Sequence, residues 1–399
     1  MDLREKLVKK KAIIYLGGGS SQKYIIKSLK KNGIKVILID RNFNCESKSY
    51  ADFFLNYDLR DHKKIIRNLI FLKDKFEFIS TYGVADYAMA TVATINEKFK
   101  LKGLGSNFVK LFINKENSKK IFRKLKISTP KTFFYGKEIN SKIIQKISNK
   151  NESEKIVIKS VDQNNSKGVS IIKNYSKKEI EKASKNALKY SKSLIIEEYI
   201  EGKNYSVDCL LNKKKSKIIS TSLNLYEQSK NYKNNLIVQP SDLNKKELQQ
   251  LNKVLKKLFK ELKNYIGPLT IDFIVSNNKF YFIEMSPHFH NPSGEILRGN
   301  KNPVLSFINF FLTKKIRNKV TNLKKIITCI ISEMINSKNI KLSNQLLKNQ
   351  NLIESKFFSK KNKRKTIYAN APLIIYFKFH IKSYKKILHY LDTNIKVVN

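Results

Sequence analysis

Cysteine, arginine, acidic residues and long apolar runs are all scarce in this chain of 399 residues. The three cysteines, Cys45, Cys209 and Cys329, lie far apart, so their spacing indicates neither a disulfide framework nor a zinc site. This cysteine usage fits a protein of the reducing cytoplasm. The longest apolar stretch, at 303–312, is too short to cross a bilayer as a helix, which predicts that the chain has no transmembrane segment.

Basic residues far exceed acidic ones, with 80 Lys and Arg against 32 Asp and Glu, and the formal net charge is +48. Such a charge attracts nucleic acid and other polyanions without regard to sequence. Nearly all of it is lysine, however, and planar bidentate recognition of phosphates or bases favours arginine. Lys, Asn and Ile are abundant throughout, which is typical of a compositional bias. The composition therefore predicts incidental polyanion affinity and no specific nucleic-acid partner.

The first part of the chain alternates buried strands with helices. The segment AIIYLGGG precedes a helix at about 22–32, and the strand KVILID ends at Asp40. Apolar strands that alternate with helices predict a parallel α/β unit. Gly17, Gly18 and Gly19 lack the spacing of a dinucleotide-binding motif, so they fit a tight structural turn as well as a nucleotide site.

The rest of the chain combines strands and helices in a mixed order. An amphipathic helix is predicted at about 242–265, and the strands LTIDFIV and KFYFIEM after it are joined by a tight turn at Asn277 and Asn278. The last segment, at about 313–399, mixes Lys-rich helix with strands and predicts a small α+β unit.

Residues suited to phosphate and metal chemistry follow one another in a fixed order along the middle of the chain. Lys159 lies within the apolar strand IVIKS, where an ammonium needs an anionic partner such as phosphate. The loop 166–168 supplies small side chains and backbone N–H groups, and Glu197 ends a later strand. Asp272 and Glu284 lie on the two strands of the predicted hairpin, where their oxygens suit Mg²⁺.

This ordered set resembles the ATP-grasp superfamily, and the resemblance covers about 1–312. It implies an α/β and α+β architecture of three parts: a Rossmann-like pre-ATP-grasp domain at 1–113, a two-lobed ATP-grasp fold at 114–312, and a small C-terminal α+β subdomain at 313–399. It also implies ATP and Mg²⁺, or Mn²⁺, as cofactors. Relatives often form dimers through the first domain, so a homodimer is expected.

The resemblance assigns a role to each matching residue. Two lysines are expected on the phosphates, three residues in the lid over them, four at the adenine and ribose, and three at the metal. In that order these residues are Lys115 and Lys159; Ser166, Lys167 and Gly168; Glu197, Tyr199, Ile200 and Asn204; and Asp272, Glu284 and Ser286.

The chain departs from the family pattern at several positions. Asn204 stands where the family usually has the glutamate that holds the ribose hydroxyls. The family pattern Glu-x-Asn-Pro-Arg reads EMSPH here, so Ser286 binds the metal directly or through water, and His288 does not reproduce an always-charged arginine. Lys159, His288 and Arg298 are the candidate catalytic residues. Arg298 is the candidate for clamping a substrate carboxylate or the acyl phosphate, and a surface ion pair is the alternative for it. His290 alternates with His288, and a separate metal site there is an alternative.

The resemblance implies an ATP-dependent ligase that activates a small-molecule carboxylate as an acyl phosphate, which an amine then attacks. One alternative is a carboxylase or formyltransferase of the same superfamily. Another is a protein that binds ATP or polyanions without turnover. The sequence names neither the acid nor the amine.

Overall fold

The computed structural model describes most of the chain up to residue 313 and five strands beyond it. The described residues are 9–150, 155–163, 168–173, 176–212, 216–228, 232–297, 299, 302–313, 325–334, 339–342, 352–357, 373–379 and 395–398.

The first part is a parallel sheet flanked by helices. Its strands are β1 (Lys10–Leu16), β2 (Lys35–Ile39), β3 (Phe53–Leu55) and β4 (Phe76–Gly83), and its helices are α1 (Gln22–Lys31), α2 (His62–Leu72), α3 (Met89–Lys98) and α4 (Ser106–Ile113), with 3-10 turns at Lys48–Tyr50 and Asp86–Ala88. The sheet order is β3-β2-β1-β4, with every pair parallel. Helices cover both faces of such a sheet, which explains why β1 is an unbroken apolar run.

The glycine turn after β1 allows the chain to pass close to the neighbouring strand ends. Gly17 has φ +107°, and a Cβ there would lie 2.4 Å from Cγ2 of Val84. The Gly18 N–H donates to the Asp40 carboxylate at 2.7 Å, and the Cys45 Sγ fills the space beside Gly18. Side chains of the same domain thus occupy the surroundings of Gly18, which supports the structural reading of this turn.

The second part is a small antiparallel sheet with two helices on one face. It is preceded by a helix that packs against the third part of the fold. Its elements are α5 (Lys115–Lys124), β5 (Thr132–Gly136), α6 (Ser141–Lys150), β6 (Ile156–Ser160), β7 (Ser170–Ile172), α7 (Lys177–Leu188) and β8 (Leu194–Glu198). The strand order is β5-β8-β6-β7. A core that includes Ile144 of α6, Ile180 of α7 and Ile158 of β6 holds the helices on the sheet.

The third part is built on an eight-stranded sheet. Its elements are β9 (Lys203–Leu211), β10 (Ser216–Gln228), β11 (Tyr232–Gln239), α8 (Lys245–Glu261), β12 (Gly267–Ser276), β13 (Lys279–Ser286), α9 (Pro292–Leu297), α10 (Pro303–Thr313), β14 (Lys325–Met334), β15 (Asn339–Leu342), β16 (Leu352–Phe357), β17 (Leu373–Phe379) and β18 (Ile395–Val398). The sheet order is β13-β12-β9-β10-β11-β14-β17-β16, and β15 pairs with β18 separately.

Strands from the end of the chain extend this sheet. β14 pairs antiparallel with β11, and β17 and β16 follow it. The sequence predicted a separate α+β subdomain at 313–399, but three of its five described strands belong to the sheet that also carries β12 and β13. The predicted boundary at 312 therefore does not coincide with an edge of the sheet.

Local sequence explains the elements that carry the site. Asn277 and Asn278 have φ of +47° and +61°, the conformation that a two-residue hairpin turn requires, so β12 and β13 form the predicted hairpin. The predicted amphipathic helix is α8, whose buried face includes Leu251, Leu255 and Leu258. Helix α5 begins where the Asn114 side chain accepts hydrogen bonds from two backbone N–H groups of its first turn.

Candidate active site

Lys159 and Glu197 form a buried ion pair between neighbouring strands. In the β6–β8 ladder, Glu197 is paired with Val157, two residues before Lys159, so both charged side chains lie on one face. The Lys159 Nζ lies 2.6 Å from Oε2 of Glu197. Glu197 therefore supplies an anionic partner for the Lys159 ammonium from within the chain.

A second lysine, Lys119 of α5, contacts the same carboxylate. Its Nζ lies 2.8 Å from Oε1 of Glu197 and donates to Oγ1 of Thr129 at 3.0 Å. Lys119 is completely buried. Burial lowers the pKa of Lys119 to about 8, and Glu197 partly opposes this. Burial raises the pKa of Glu197, but the two lysines outweigh it, so the net direction is downward and the group stays ionised.

Lys115 lies one helical turn before Lys119 in α5 and links the second part of the fold to the β12–β13 hairpin. Its Nζ lies 2.8 Å from Oε2 of Glu284 and donates to the carbonyl oxygen of Gln163 at 2.7 Å. Burial lowers the pKa of Lys115. The negative charge of Glu284 and the hydrogen bond to Glu284 act in the opposite direction, and the net shift of the pKa is upward. Lys115 therefore remains cationic beside the expected metal ligand.

Asp272 and Glu284 lie opposite each other in the β12–β13 ladder. Burial, followed by the charge of Glu284, raises the pKa of Asp272 to about 7. The Ser206 hydroxyl donates to Asp272 at 2.5 Å and accepts from Nδ2 of Asn224 at 2.7 Å. Burial disfavours the Asp272 carboxylate as a charge, and a divalent cation would relieve its repulsion with the facing Glu284 carboxylate.

The metal would need ligands beyond this pair. Within the described ranges no group of three or more His, Cys, Asp or Glu side chains is arranged to hold a metal by itself. Mg²⁺ is commonly held by one or two carboxylates together with substrate phosphates and water, so Asp272 and Glu284 fit this ion. Ser286 ends β13, where it is paired with Thr270.

The two histidines after β13 contact different partners. Nε2 of His288 lies 3.0 Å from the Asp86 carboxylate, and its Nδ1 lies 3.1 Å from the carbonyl oxygen of Phe289. Both ring nitrogens thus face acceptors, which favours the imidazolium. Burial lowers the pKa of His288, but Asp86 together with the Phe289 carbonyl oxygen and the Asp208 charge outweighs this, so the net shift is upward. His290 contacts Oγ of Ser206 through Nδ1, and burial lowers its pKa.

A buried carboxylate that the sequence did not single out fixes the loop holding these histidines. Asp208 of β9 accepts from the Thr270 hydroxyl at 2.6 Å, from the Ser220 hydroxyl at 3.0 Å and from the backbone N–H of His290 at 2.8 Å. The extended segment after β13 is therefore attached to the sheet through Asp208. Its sequence signal was weak, because Asp208 is a lone acid in an apolar strand.

The residues expected at the adenine and ribose lie where the second part of the fold, which ends with β8, joins the third part, which begins with β9. Tyr199 and Ile200 follow β8 directly, and Ile200 is buried. Asn204 lies near the start of β9, in register with Asn224 of β10 and Ile274 of β12. The Glu197 carboxylate, expected near the adenine amino group, is held by its two lysines.

Of the predicted lid residues 166–168, the structure describes only Gly168. Gly168 has φ +71°, and a Cβ there would lie 2.3 Å from Oγ of Ser160, so only glycine fits between the lid and α7. The predicted lid residues Ser166 and Lys167 and the candidate catalytic residue Arg298 lie outside the described residues.

Sequence reasoning missed Lys119 and Asp86, for different reasons. Lys119 is four positions after Lys115, a spacing that places both on one face of a helix, but the Lys-rich run around it hid this signal. Asp86 follows β4 at the carboxyl edge of a parallel sheet, where ligand sites gather. Its contact with His288 spans 202 positions and has no local signature.

The comparisons with known proteins agree with this geometry. A family model described as the ATP-grasp domain matches residues 112–292. The D-alanine–D-alanine ligase of Pelagibacter ubique is 27% identical over 289 residues, which cover 69% of this chain and 87% of that protein. A formate-dependent phosphoribosylglycinamide formyltransferase of Prochlorococcus marinus is 26% identical over 291 residues, 70% of each chain.

The fold has a close structural counterpart. The crystal structure of an L-amino acid ligase from Bacillus licheniformis superposes with a TM-score of 0.76 at 15% identity, over 98% of this chain and 99% of that one. This superposition shows that the fold of the chain is that of the ligase structure. Residues 112–292 thus match an ATP-grasp domain, and the chain resembles the ligases and transferases that carry this domain.

Proposed function

We propose that Lys115, Lys159, Asp272 and Glu284 form the centre at which ATP activates a small-molecule carboxylate. Four separate segments bring these groups together, and the contact that carries the proposal is the 2.8 Å pair between Lys115 and Glu284. In this proposal Lys115 binds a phosphate of ATP and the neighbouring Glu284 binds the metal. The lysine ammonium groups suit the phosphates of ATP, and the carboxylates suit a divalent cation bound to those phosphates.

In the proposed reaction an oxygen of the substrate carboxylate attacks the γ phosphorus of ATP, and the bond to ADP breaks. Lys115 and Lys159 hold the phosphates in line and neutralise charge that spreads over the transferred group. Asp272 and Glu284, with Ser286, would hold Mg²⁺, or Mn²⁺, which supplies further charge neutralisation when bound.

The second half of the proposed reaction takes place on the acyl phosphate. An amine nitrogen attacks the acyl carbon, phosphate leaves with the bonding electrons, and the nitrogen loses a proton. The His288 cation and Arg298 stabilise negative charge on the acyl phosphate.

ADP release tests this proposal and identifies the substrates. The protein is incubated with Mg-ATP and pairs drawn from amino acids, dipeptides and small acids, and ADP is measured together with the joined product. Lys159→Ala and Glu284→Ala are expected to abolish ADP formation while the circular dichroism spectrum stays that of the wild type. Lys182→Ala, a substitution on the exposed face of α7, is the matched control and keeps full activity. Unchanged turnover in both site variants rejects these roles.

A second candidate reaction is carboxylation or formylation through carboxyphosphate or formyl phosphate. The similarity to the formate-dependent transferase favours including it. ADP release that bicarbonate or formate stimulates, and amino acids do not, would select this reaction. Polyanion binding without any substrate-dependent ADP release would instead select a binding protein.

A further inference from the structure

Two lysines share one buried carboxylate at the expected phosphate site. Lys159 lies 2.6 Å from one oxygen of Glu197, and Lys119 lies 2.8 Å from the other. The cluster of these three residues therefore carries one positive charge in excess. The other ion pair of the site, Lys115 with Glu284, has no such excess.

On the function proposed above, the phosphates of ATP and the Glu197 carboxylate compete for the Lys159 ammonium. Its Nζ contacts Glu197 at 2.6 Å, and its expected ligand is the phosphate chain of ATP, which would draw it away from Glu197. Glu197 is only 2% exposed, so water cannot replace the departing ammonium. If Lys159 were the only cation beside Glu197, its departure would leave a buried carboxylate unpaired, which is strongly unfavourable and would oppose ATP binding.

Lys119 is positioned to keep a cation beside Glu197 when Lys159 leaves it. Lys119 itself cannot contact ATP. Its side chain has no solvent-exposed surface, and its ammonium is already aligned on Glu197 and on Thr129. Folding alone gives no reason for a lysine here, because an apolar side chain of similar volume avoids the cost of burying a second cation beside the first.

We infer that Lys119 is a positioning residue that keeps Glu197 neutralised while Lys159 moves to the phosphates of ATP. In the free protein the carboxylate is held by both lysines. In the nucleotide complex Lys119 alone holds it, so no buried charge is left unpaired. The excess positive charge of the cluster is what the phosphates then neutralise.

The substitution Lys119→Met tests this inference. Methionine fills nearly the same volume, and the free variant keeps Lys159 on Glu197, so it is expected to fold. The dissociation constant of Mg-ATP, measured by isothermal titration calorimetry, is expected to rise at least about tenfold, equivalent to about 1.4 kcal/mol. The KM for ATP rises with it, while kcat at saturating ATP stays within about threefold, because Lys119 does not contact the reacting atoms.

Lys120→Met is the matched control. Lys120 is the next residue of the same helix, is exposed, and its substitution removes the same charge from the whole molecule. Its ATP affinity is expected to equal that of the wild type. Equal ATP affinities of the Lys119→Met and Lys120→Met proteins would overturn the inference while leaving the ligase function standing.

Two further variants test whether Lys119 acts as the cation beside Glu197 or only fills space in the core. Lys119→Gln keeps a hydrogen-bond donor without charge, and its ATP affinity is expected to fall as in Lys119→Met. In the double variant Lys119→Met/Glu197→Gln no carboxylate remains to be neutralised, so the loss caused by Lys119→Met is expected to disappear relative to Glu197→Gln alone. Wild-type affinity in Lys119→Gln, or an undiminished loss in the double variant, contradicts the inference. A wild-type protein that binds no ATP would reject the proposed function together with it.

Discussion

At the scale of single residues, His288 shows how a partner changes what a side chain offers. The family pattern has an arginine here, and a histidine read from the sequence alone is a weaker cation. In the folded protein its two ring nitrogens face the Asp86 carboxylate and the Phe289 carbonyl oxygen, and its pKa is raised. We propose that Asp86, a residue of the first domain, in this way compensates for the missing arginine.

Asp86→Asn tests this compensation. The amide can still accept a hydrogen bond but no longer supplies the negative charge that favours the His288 cation. We expect kcat for ligation to fall by about tenfold, a small share of the effect of a full electrostatic catalytic group, while the KM for ATP changes little. Asp58→Asn, in the same domain, is the control and leaves kcat unchanged. A kcat for Asp86→Asn equal to that of Asp58→Asn would contradict the role of the pair.

At the scale of elements, two antiparallel ladders and one helix determine the site. The β12–β13 register sets Asp272 against Glu284, and the β6–β8 register sets Lys159 beside Glu197. A shift of either register by one residue would turn its charged side chain to the other face of the sheet. Helix α5 then supplies Lys115 and Lys119 from one face, because their spacing is one helical turn.

Helix α8 illustrates an element whose start is fixed locally. The Asn244 side chain accepts from the Glu247 backbone N–H, and the Glu247 side chain accepts from the Asn244 backbone N–H. Asn244→Ala removes half of this capping box and is expected to lower the free energy of unfolding by about 1 kcal/mol. Urea unfolding followed by circular dichroism measures the change.

Asn252→Ala is the control for that experiment. Asn252 lies on the exposed side of the same helix and hydrogen-bonds only the Leu248 carbonyl oxygen among the contacts described. Alanine is the better helix former at such a position, so the stability is expected to be equal or slightly higher. Equal losses in the two variants would mean that the capping box does not stabilise α8.

At the scale of the whole molecule, the +48 net charge dominates interactions at a distance. Heparin and unstructured RNA are expected to bind this protein without sequence preference. The binding constant should fall by at least tenfold between about 50 and 200 mM salt, since binding releases condensed counterions. Fluorescence anisotropy of labelled RNA measures this, and Lys159→Ala, which removes a buried charge, is the control that binds RNA as the wild type does. Binding that resists salt would indicate a specific nucleic-acid site.

The path of the chain through its sheets is also a property of the whole molecule. Among the described residues no helix is long and apolar enough to cross a membrane. Strands from beyond residue 313 extend the sheet of the third part, so the end of the chain supports the sheet that carries the site. Dimerisation through the first domain stays a prediction.

Much of the site was predictable because its signals are local. Lys159 inside an apolar strand, and Asp272 and Glu284 on either side of an Asn-Asn turn, each combine a charged side chain with a strongly apolar element. The positive φ angles of the turn follow from the conformational freedom of asparagine. Lys119, by contrast, lies in a run of lysines where nothing in the composition separates a buried side chain from an exposed one.

The sequence by itself determined the parallel first sheet, the amphipathic helix α8, the hairpin with its two acids and the resemblance to the ATP-grasp superfamily. It did not predict the long strands β10 and β11, whose region was interpreted as loops. Tertiary structure decided which charges meet: Lys119 and Lys159 on Glu197, Lys115 on Glu284, and His288 on Asp86. The physical reason is that apolar periodicity specifies which face of an element is buried. It does not specify which distant element packs against that face, and ion pairs depend on that packing.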